Sequence, residues 1–333
     1  MKKCIVFLLI LIFPFNIYAY SDTSHSSIVM DIDSGRILYK NNIDNKMLIA
    51  STTKIMTAII AIEKGNLNKK IIVGNEVLKM YGTNIYVEVG EKIKIKDLIY
   101  GLLLRSGNDA SVVLAKEVAG NEKKFVKLMN KKANKLGMKN TIFKNPHGLD
   151  ENTQNYSTAR DMAILSRYVY KNKFYKIVTA TKKHQISTGK KTYLWYNKNK
   201  LLTDYKFCTG GKNGFTPNAG KTLVTTASNN NLNLTIVSLD DNNSYKNHKE
   251  LYEYIFNKYK KYKIIDKNKF TISKKIYNGK AYIKKSFYYP LTKEEVDNVK
   301  TVIRIDKYVN NRIGNIDIYL NKSKIGNIYI YKK

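Results

Sequence analysis

The sequence predicts an α+β protein in two parts, a large mixed domain followed by a small all-β one. Three observations predict it. Apolar residues recur at helical spacing in several segments between Ser51 and Lys171. From Lys206 to Leu239 the pattern turns to strand-length runs, "GKTLVTTAS" and "LNLTIVSL". After Tyr262 only short alternating segments remain, "FTISKKIYNGKAYIKKSFYYPL" and "NIDIYLNKSKIGNIYIYKK", with Asn-Gly and Gly-Asn pairs expected at their turns. A chain of 333 residues is long enough for two domains and a sizeable core.

The opening "MKKCIVFLLILIFPFNIYAY" has two lysines, an apolar run short for a membrane span, and Ala19. That is the layout of a secretory signal peptide, residues 1–19, and predicts an exported mature chain. Residues 26–40, "SSIVMDIDSGRILYK", alternate around an Asp-Ser-Gly turn and predict a hairpin. Asp31 and Asp33 beside that turn are expected to be solvated. A helix follows from Ser51 to Glu63, with Gly65 as its stop. "KIKDLIYGLLLRSGNDASVVLAKEVAG" predicts two apolar helices broken at Ser106-Gly107-Asn108. Amphipathic helices over 121–137 and 157–171 flank the loop "FKNPHGLD", and "NHKELYEYIFNKY" closes the large domain. The expected boundaries are 20–260 for the large domain and 261–333 for the β-rich one. The chain ends in a predicted strand, so no amphipathic anchor is expected there.

Removing the signal leaves Cys208 as the sole cysteine, which excludes an internal disulfide in the mature chain. The four histidines, His25, His147, His184 and His248, show no ligand spacing, and neither a metal site nor a cofactor is expected. The net charge of +33 predicts attraction to polyanions such as an anionic cell wall, although a compositionally biased genome also enriches Lys, Asn, Ile and Tyr. Nucleic acid is disfavoured as a partner because the lysines are spread along the chain and no reading motif occurs.

The chemistry starts in "IASTTKIMTA". Lys54 stands in the first turn of an apolar helix, where the helix dipole disfavours a cation, and one turn from the Ser51 hydroxyl. A serine needs a base to become a nucleophile, and a lysine serves when its pKa is depressed by burial or a helix start. Read alone, Ser51 is an N-cap and Lys54 a surface residue. "RSGND" brings Ser106 and Asn108 onto a helix-breaking turn. "GGKNGFTPNAGKTLV" sets Lys212, Asn213, Gly214 and Phe215 on a predicted edge strand, where glycine permits close approach of a substrate backbone. Ser106 follows Ser51 by 55 residues and Lys212 follows Ser106 by 106.

On S-x-x-K, S-G-N and K-N-G in that order, the chain resembles the serine-type D-alanyl-D-alanine carboxypeptidases, the low-molecular-mass penicillin-binding proteins. The resemblance runs from about Ser26 to Tyr259 and includes "VMDIDSGRILYKNN", "LLLRSGNDAS", "LGMKNTIFKNPHGLD", "STARDMAILSRY" and "GFTPNAGKTLV". It implies a β-lactamase/transpeptidase-like domain, an antiparallel sheet with helices plus a helical subdomain. It implies a peptidoglycan stem peptide ending in D-Ala-D-Ala as substrate and β-lactams as inhibitors. By the same resemblance Ser51 attacks the carbonyl, Lys54 takes its proton, and Ser106 with Lys212 protonates the departing D-alanine. Asn108 holds the substrate amide, Asn213 and Gly214 line the substrate strand, and the N–H groups of Ser51 and Phe215 form the oxyanion hole, typically worth ~3 kcal/mol per donor.

Two positions depart from the pattern: Asn213 replaces the usual Thr, and Ser244, with Lys246 and Lys249 nearby, stands where an Arg carboxylate anchor is usual. Both suggest altered carboxylate recognition. Two rivals follow. A class A-like β-lactamase needs a deacylating Glu, for which only Glu151 is placed, without the expected context. A catalytically weakened wall-binding protein would keep the fold alone. His147 is expected to be structural, Cys208 a packed strand residue, and "GFTPNAGKT" a false phosphate loop, its spacing being too long.

Overall fold

The computed structural model describes residues 22–309 and 311–333; the expected signal peptide lies outside them. In chain order the elements are β1 (Ser26–Asp31), β2 (Ile37–Asn41), α1 (Lys54–Lys64), β3 (Lys70–Ile72), β4 (Lys92–Lys94), α2 (Ile95–Tyr100), α3 (Asn108–Ala119), α4 (Glu122–Leu136), α5 (Ala159–Val169) and α6 (Lys173–Ala180). There follow β5 (Lys183–Ser187), β6 (Thr192–Tyr196), β7 (Cys208–Thr216), β8 (Gly220–Asn229), β9 (Leu232–Leu239) and α7 (Ser244–Lys258). The C-terminal region holds β10 (Lys260–Ile265), β11 (Ala281–Ile283), β12 (Phe287–Leu291), β13 (Val299–Val309), β14 (Arg312–Leu320) and β15 (Ser323–Lys332).

A five-stranded antiparallel sheet, ordered β2-β1-β9-β8-β7, divides the large part into two layers. Alternation sends Ile28, Met30, Val224 and Val237 to one face, where α5 lies on β1, β8 and β9 and the residues join the same core as α1 and α3. Val29, Leu223, Leu234 and Ile236 face the other way, under Leu251, Tyr252, Ile255 and Phe256 of α7. β7 is the outer strand, as expected for the K-N-G segment. The helical layer is built on α1, whose Ile55, Met56, Ile59 and Ile60 are all buried, so that one helix anchors the core and carries Lys54.

The two-helix reading around Ser106 holds, with a mechanism. α2 runs into a π-turn over Gly101–Arg105, Ser106 adopts left-handed angles (φ 68°, ψ 36°), and α3 restarts at Asn108. Three expectations are corrected, and two elements appear that none covered. The helix at Ser51 is a 3₁₀ turn over Ala50–Thr53, and the α-helix begins at Lys54 itself. Asp31 is fully buried because Ser34 donates both its N–H and its Oγ–H to Asp31 Oδ2 (2.7 and 2.5 Å); burial raises the Asp31 pKa. Gly314 and Gly326 lie inside β14 and β15, and the β14–β15 turn is made by Asn321-Lys322, Asn321 having φ 54°. Segments 173–180 and 183–196, left unassigned from the sequence, form α6 and the β5–β6 hairpin.

Candidate active site

Lys54 is wholly buried at the first turn of α1. Its Nζ lies 2.9 Å from Ser51 Oγ, 2.7 Å from Asn108 Oδ1 and 2.6 Å from the His147 carbonyl oxygen. Burial drives its pKa well below the ordinary lysine value, and the nearby Lys212 charge adds to the effect. Those three neighbours suit an uncharged amine. Nζ donates to all three oxygens; an amine that has given up one proton would keep two N–H groups for the two carbonyl oxygens and a lone pair for the serine hydroxyl proton.

Each partner is held by its own element. Asn108 opens α3 and its Nδ2 donates to the Tyr81 carbonyl (2.7 Å), so both ends of the amide are occupied. Asp109, next in line, accepts from the backbone N–H groups of Ile85, Tyr86, Val87 and Ala110, which binds segment 84–87 to the start of α3. His147 belongs to the loop Asn145–Asp150. Asn145 Oδ1 accepts from His147 N and Gly148 N (3.2 and 2.6 Å), and the Pro146 carbonyl accepts from Thr57 Oγ1 of α1 (2.6 Å). The His147 ring accepts the Leu149 N–H at Nδ1 (3.1 Å), burial lowers its pKa to about 3, and what the residue offers Lys54 is its carbonyl.

Lys212 is 1% exposed on β7, on the face toward α1, paired across the strand with Val224. Burial lowers its pKa to about 7, helped by the charge of Lys198. Its Nζ donates to the Asn213 carbonyl (2.6 Å), and the Asn213 amide oxygen lies 3.4 Å away. Gly214 serves closeness of a different kind from that expected. A Cβ there would fall 2.5 Å from Thr222 Oγ1 and 2.9 Å from Ser51 N, so glycine lets β7 lie against the serine turn. Phe215 follows with an exposed ring, and Thr216 donates to the buried Asp150 (2.6 Å). Ser51, Lys54 and Asn108 thus meet directly, while Lys212, Gly214 and Ser106 adjoin them on the next strand and turn.

Ser244 is buried at the start of α7, its N–H donating to the Asp241 carbonyl (3.2 Å), and Lys246 faces Glu250 at 3.9 Å on the outer surface. The charge beside Lys54 and Lys212 is Lys198, half-buried, its own pKa lowered by burial and by Arg105. Sequence reasoning passed over Lys198, since a lone lysine in "YNKNKLL" carries no spacing signal. Glu151 is exposed and meets the Tyr81 hydroxyl, whose pKa is raised by desolvation first and by this carboxylate second. Cys208 opens β7, its thiol pKa raised by burial.

The model for the family described as "D-alanyl-D-alanine carboxypeptidase" matches residues 17–243. The chain belongs to this family. It is 33% identical over 296 residues to D-alanyl-D-alanine carboxypeptidase DacF of Bacillus subtilis, covering 84% of this chain and 76% of the relative. It is 32% identical over 276 residues to D-alanyl-D-alanine carboxypeptidase DacA of Haemophilus influenzae, covering 77% of this chain and 68% of that one. Among solved structures, penicillin binding protein 5 from Haemophilus influenzae superposes with a TM-score of 0.79 at 27% identity, over 93% of this chain and 96% of that one. The carboxypeptidase DacD from Francisella tularensis covers the whole chain and 96% of its own, with a TM-score of 0.74 at 25% identity. These two structures share the fold of both layers and of the β-rich C-terminal region, whereas the family match ends at residue 243.

Proposed function

We propose that this carboxypeptidase removes the terminal D-alanine from peptidoglycan stem peptides through an acyl-enzyme on Ser51. The observation that carries the reading is a wholly buried Lys54 whose Nζ lies 2.9 Å from Ser51 Oγ and whose pKa burial lowers well below the ordinary lysine value. Lys54 takes the hydroxyl proton as Ser51 attacks the carbonyl between the two D-alanines, and the N–H groups of Ser51 and Phe215 receive the developing oxyanion. Ser106 and Lys212, whose pKa near 7 lets it both hold and release a proton, return one to the departing amine. Asn108 positions Lys54 through Oδ1, and its contact with substrate requires exchange of the Tyr81 carbonyl. Lys198, Lys212 and Asn213 attract the terminal carboxylate. Water then hydrolyses the ester. β-Lactams acylate the same serine.

Residues 20–260 form the catalytic domain and 261–333 the appendage. Export by the signal at 1–19 places the enzyme at the outer face of the membrane, where its charge draws it to anionic wall polymers. Intact-mass measurement after mixing with benzylpenicillin tests the chemistry. The wild type is expected to carry a penicilloyl adduct for minutes or longer, and Ser51→Ala none. A fleeting adduct with drug consumption would mean a β-lactamase, and no adduct a wall-binding relic.

A further inference from the structure

We propose that the cleft between the β3–β4 ribbon and the β5–β6 hairpin binds a phosphodiester-linked anionic wall polymer. The cleft measures about 540 Å³ and is lined by Lys70, Lys92 and Lys94 on one side and Ser187, Thr188 and Lys190 on the other. Its chemistry is set by an arrangement that is unfavourable without a ligand. Lys70 of β3 stands directly opposite Lys94 of β4 in the antiparallel register, and Lys92 shares that face two residues away. Like charges directly opposite destabilise a strand pair.

Relief by slippage is blocked. Ile71 and Ile93, paired on the opposite face, are 6% and 2% exposed, and a one-residue slip would bring both to solvent. Relief by local carboxylates is blocked as well. Among the described residues, Lys70, Lys92 and Lys94 form no ion pair within 4.0 Å, whereas the neighbouring Lys69 and Lys116 take Glu117 and Glu76. The two acids in the cleft are engaged elsewhere. Glu91 accepts from Thr188 Oγ1 (2.5 Å) and from the Tyr193 hydroxyl (2.6 Å), and Asp97 lies 3.3 Å from His184. Lys190 closes the far side, its Nζ on the Val89 carbonyl at 3.0 Å and 3.8 Å from Glu88.

Three lysines, with the exposed Ile72 opposite Lys92 and no arginine, form this face. A lysine binds phosphate as a compact point charge, without the planar fork by which arginine grips carboxylate or phosphate bidentately. Opposed and next-but-one positions lie roughly 5 and 7 Å apart, so the ribbon offers charge along a line, which favours a chain over a lone ion. The identity of the polymer rests on the exported, wall-facing reading above; the site does not use the Ser51 chemistry.

The test measures binding of soluble poly(glycerol phosphate) to the full chain at two salt concentrations. The triple variant Lys70→Gln, Lys92→Gln, Lys94→Gln is compared with Lys127→Gln, Lys131→Gln, Lys135→Gln on α4, which removes the same charge elsewhere. The cleft triple is expected to bind at least about tenfold more weakly and to lower the slope of log K against log salt by about three, while the α4 triple changes affinity less than about twofold. Polymer should raise the melting temperature of wild type and leave that of the cleft triple unmoved, and both triples should still release D-alanine from an acyl-D-Ala-D-Ala peptide. Equal weakening by both triples would reduce the effect to net charge and overturn the proposal. So would no weakening by either, equal binding of polyglutamate, or binding confined to phosphatidylglycerol vesicles. Loss of D-alanine release in wild type with the cleft result intact would count against the catalytic reading alone.

Discussion

Asn213 occupies a position where the pleat and the reach of a side chain pull in different directions. In register it shares the face of Leu223, the face covered by α7, yet its amide oxygen lies 3.4 Å from Lys212 Nζ on the α1 side. Only an outer strand allows this, because no neighbour stands in the way at the free edge of β7. The stronger contact of Lys212 is with the Asn213 backbone carbonyl, so side-chain replacement leaves the lysine in place. Asn213→Ala is therefore expected to lower kcat/KM for an acyl-D-Ala-D-Ala peptide about tenfold, the worth of one hydrogen bond to a charged group, about 1.5 kcal/mol. Asn213→Thr restores a donor and should stay within a few-fold of wild type while shifting preference among C-terminal residues. Steady-state kinetics on a small peptide series decides it; if Thr changes neither rate nor preference, position 213 has no part in carboxylate recognition.

The loop from Asn145 to Asp150 acts as an element in its own right, although it has no regular structure. It supplies the His147 carbonyl to Lys54, the Pro146 carbonyl to Thr57 and the Asp150 carboxylate to Thr216, so it joins α1 to the end of β7. Gly148 makes this possible. It has φ +89°, and a Cβ there would run into the Ala50 carbonyl, immediately before Ser51. Gly148→Ala should cost about 1–2 kcal/mol for the left-handed backbone alone and displace the serine turn as well. The expected result is a melting temperature lower by a few degrees and penicillin acylation slower by at least about a hundredfold, read by stopped-flow and thermal denaturation. A variant that melts lower but acylates at the wild-type rate would show that the loop stabilises without positioning. This loop also marks the limit of what the sequence disclosed. The motifs on Ser51, Lys54, Ser106 and Lys212 were legible because chemistry constrains their side chains and spacing. The carbonyls of His147 and Tyr81 that complete the lysine site were not, since any residue type supplies a carbonyl. Asp31 was misjudged for a related reason: its burial depends on Ser34 folding back onto it, a contact that hydropathy does not register. The β5–β6 hairpin escaped notice because no residue of "KHQIS" is fully buried and "TYLWY" leaves Leu194 and Tyr196 exposed between the buried Tyr193 and Trp195, so neither run alternates apolar with polar.

At the scale of the molecule, the C-terminal region is joined to the far end of the sheet rather than to the site. Arg36, after the β1–β2 turn, reaches Glu295 (2.5 and 2.9 Å) and the Pro290 carbonyl (2.6 Å), with its guanidinium 5.3 Å from the ring centres of Tyr259 and Tyr289. Lys261 adds an ion pair to Asp33 on the same turn. Stability of the large part depends on a different set of groups, buried in neutral form. His248 of α7 lies between Thr225 of β8 (2.8 Å from Nδ1) and Ser238 of β9 (3.0 Å from Nε2), and burial lowers its pKa from 6.5 to about 3. His147 is lowered to about 3 by the same cause. Between these values the unfolded chain binds a proton at each ring and the folded chain does not. Stability therefore rises with pH across this window and is lost as pH falls from about 6.5 toward 3, by up to roughly 1.4 kcal/mol per pH unit for each ring. Lys212 extends the slope upward, because between about 7 and 10.5 only the unfolded chain holds its proton. His248→Gln keeps hydrogen-bonding atoms between Thr225 and Ser238 but cannot titrate. Urea denaturation at pH 7 and 5.5 should show the wild type losing about 1 kcal/mol more than His248→Gln over that interval. Equal losses in the two proteins would mean that His248 already carries its proton in the fold, and that the Thr225–His248–Ser238 bridge across β8 and β9 accommodates a charge.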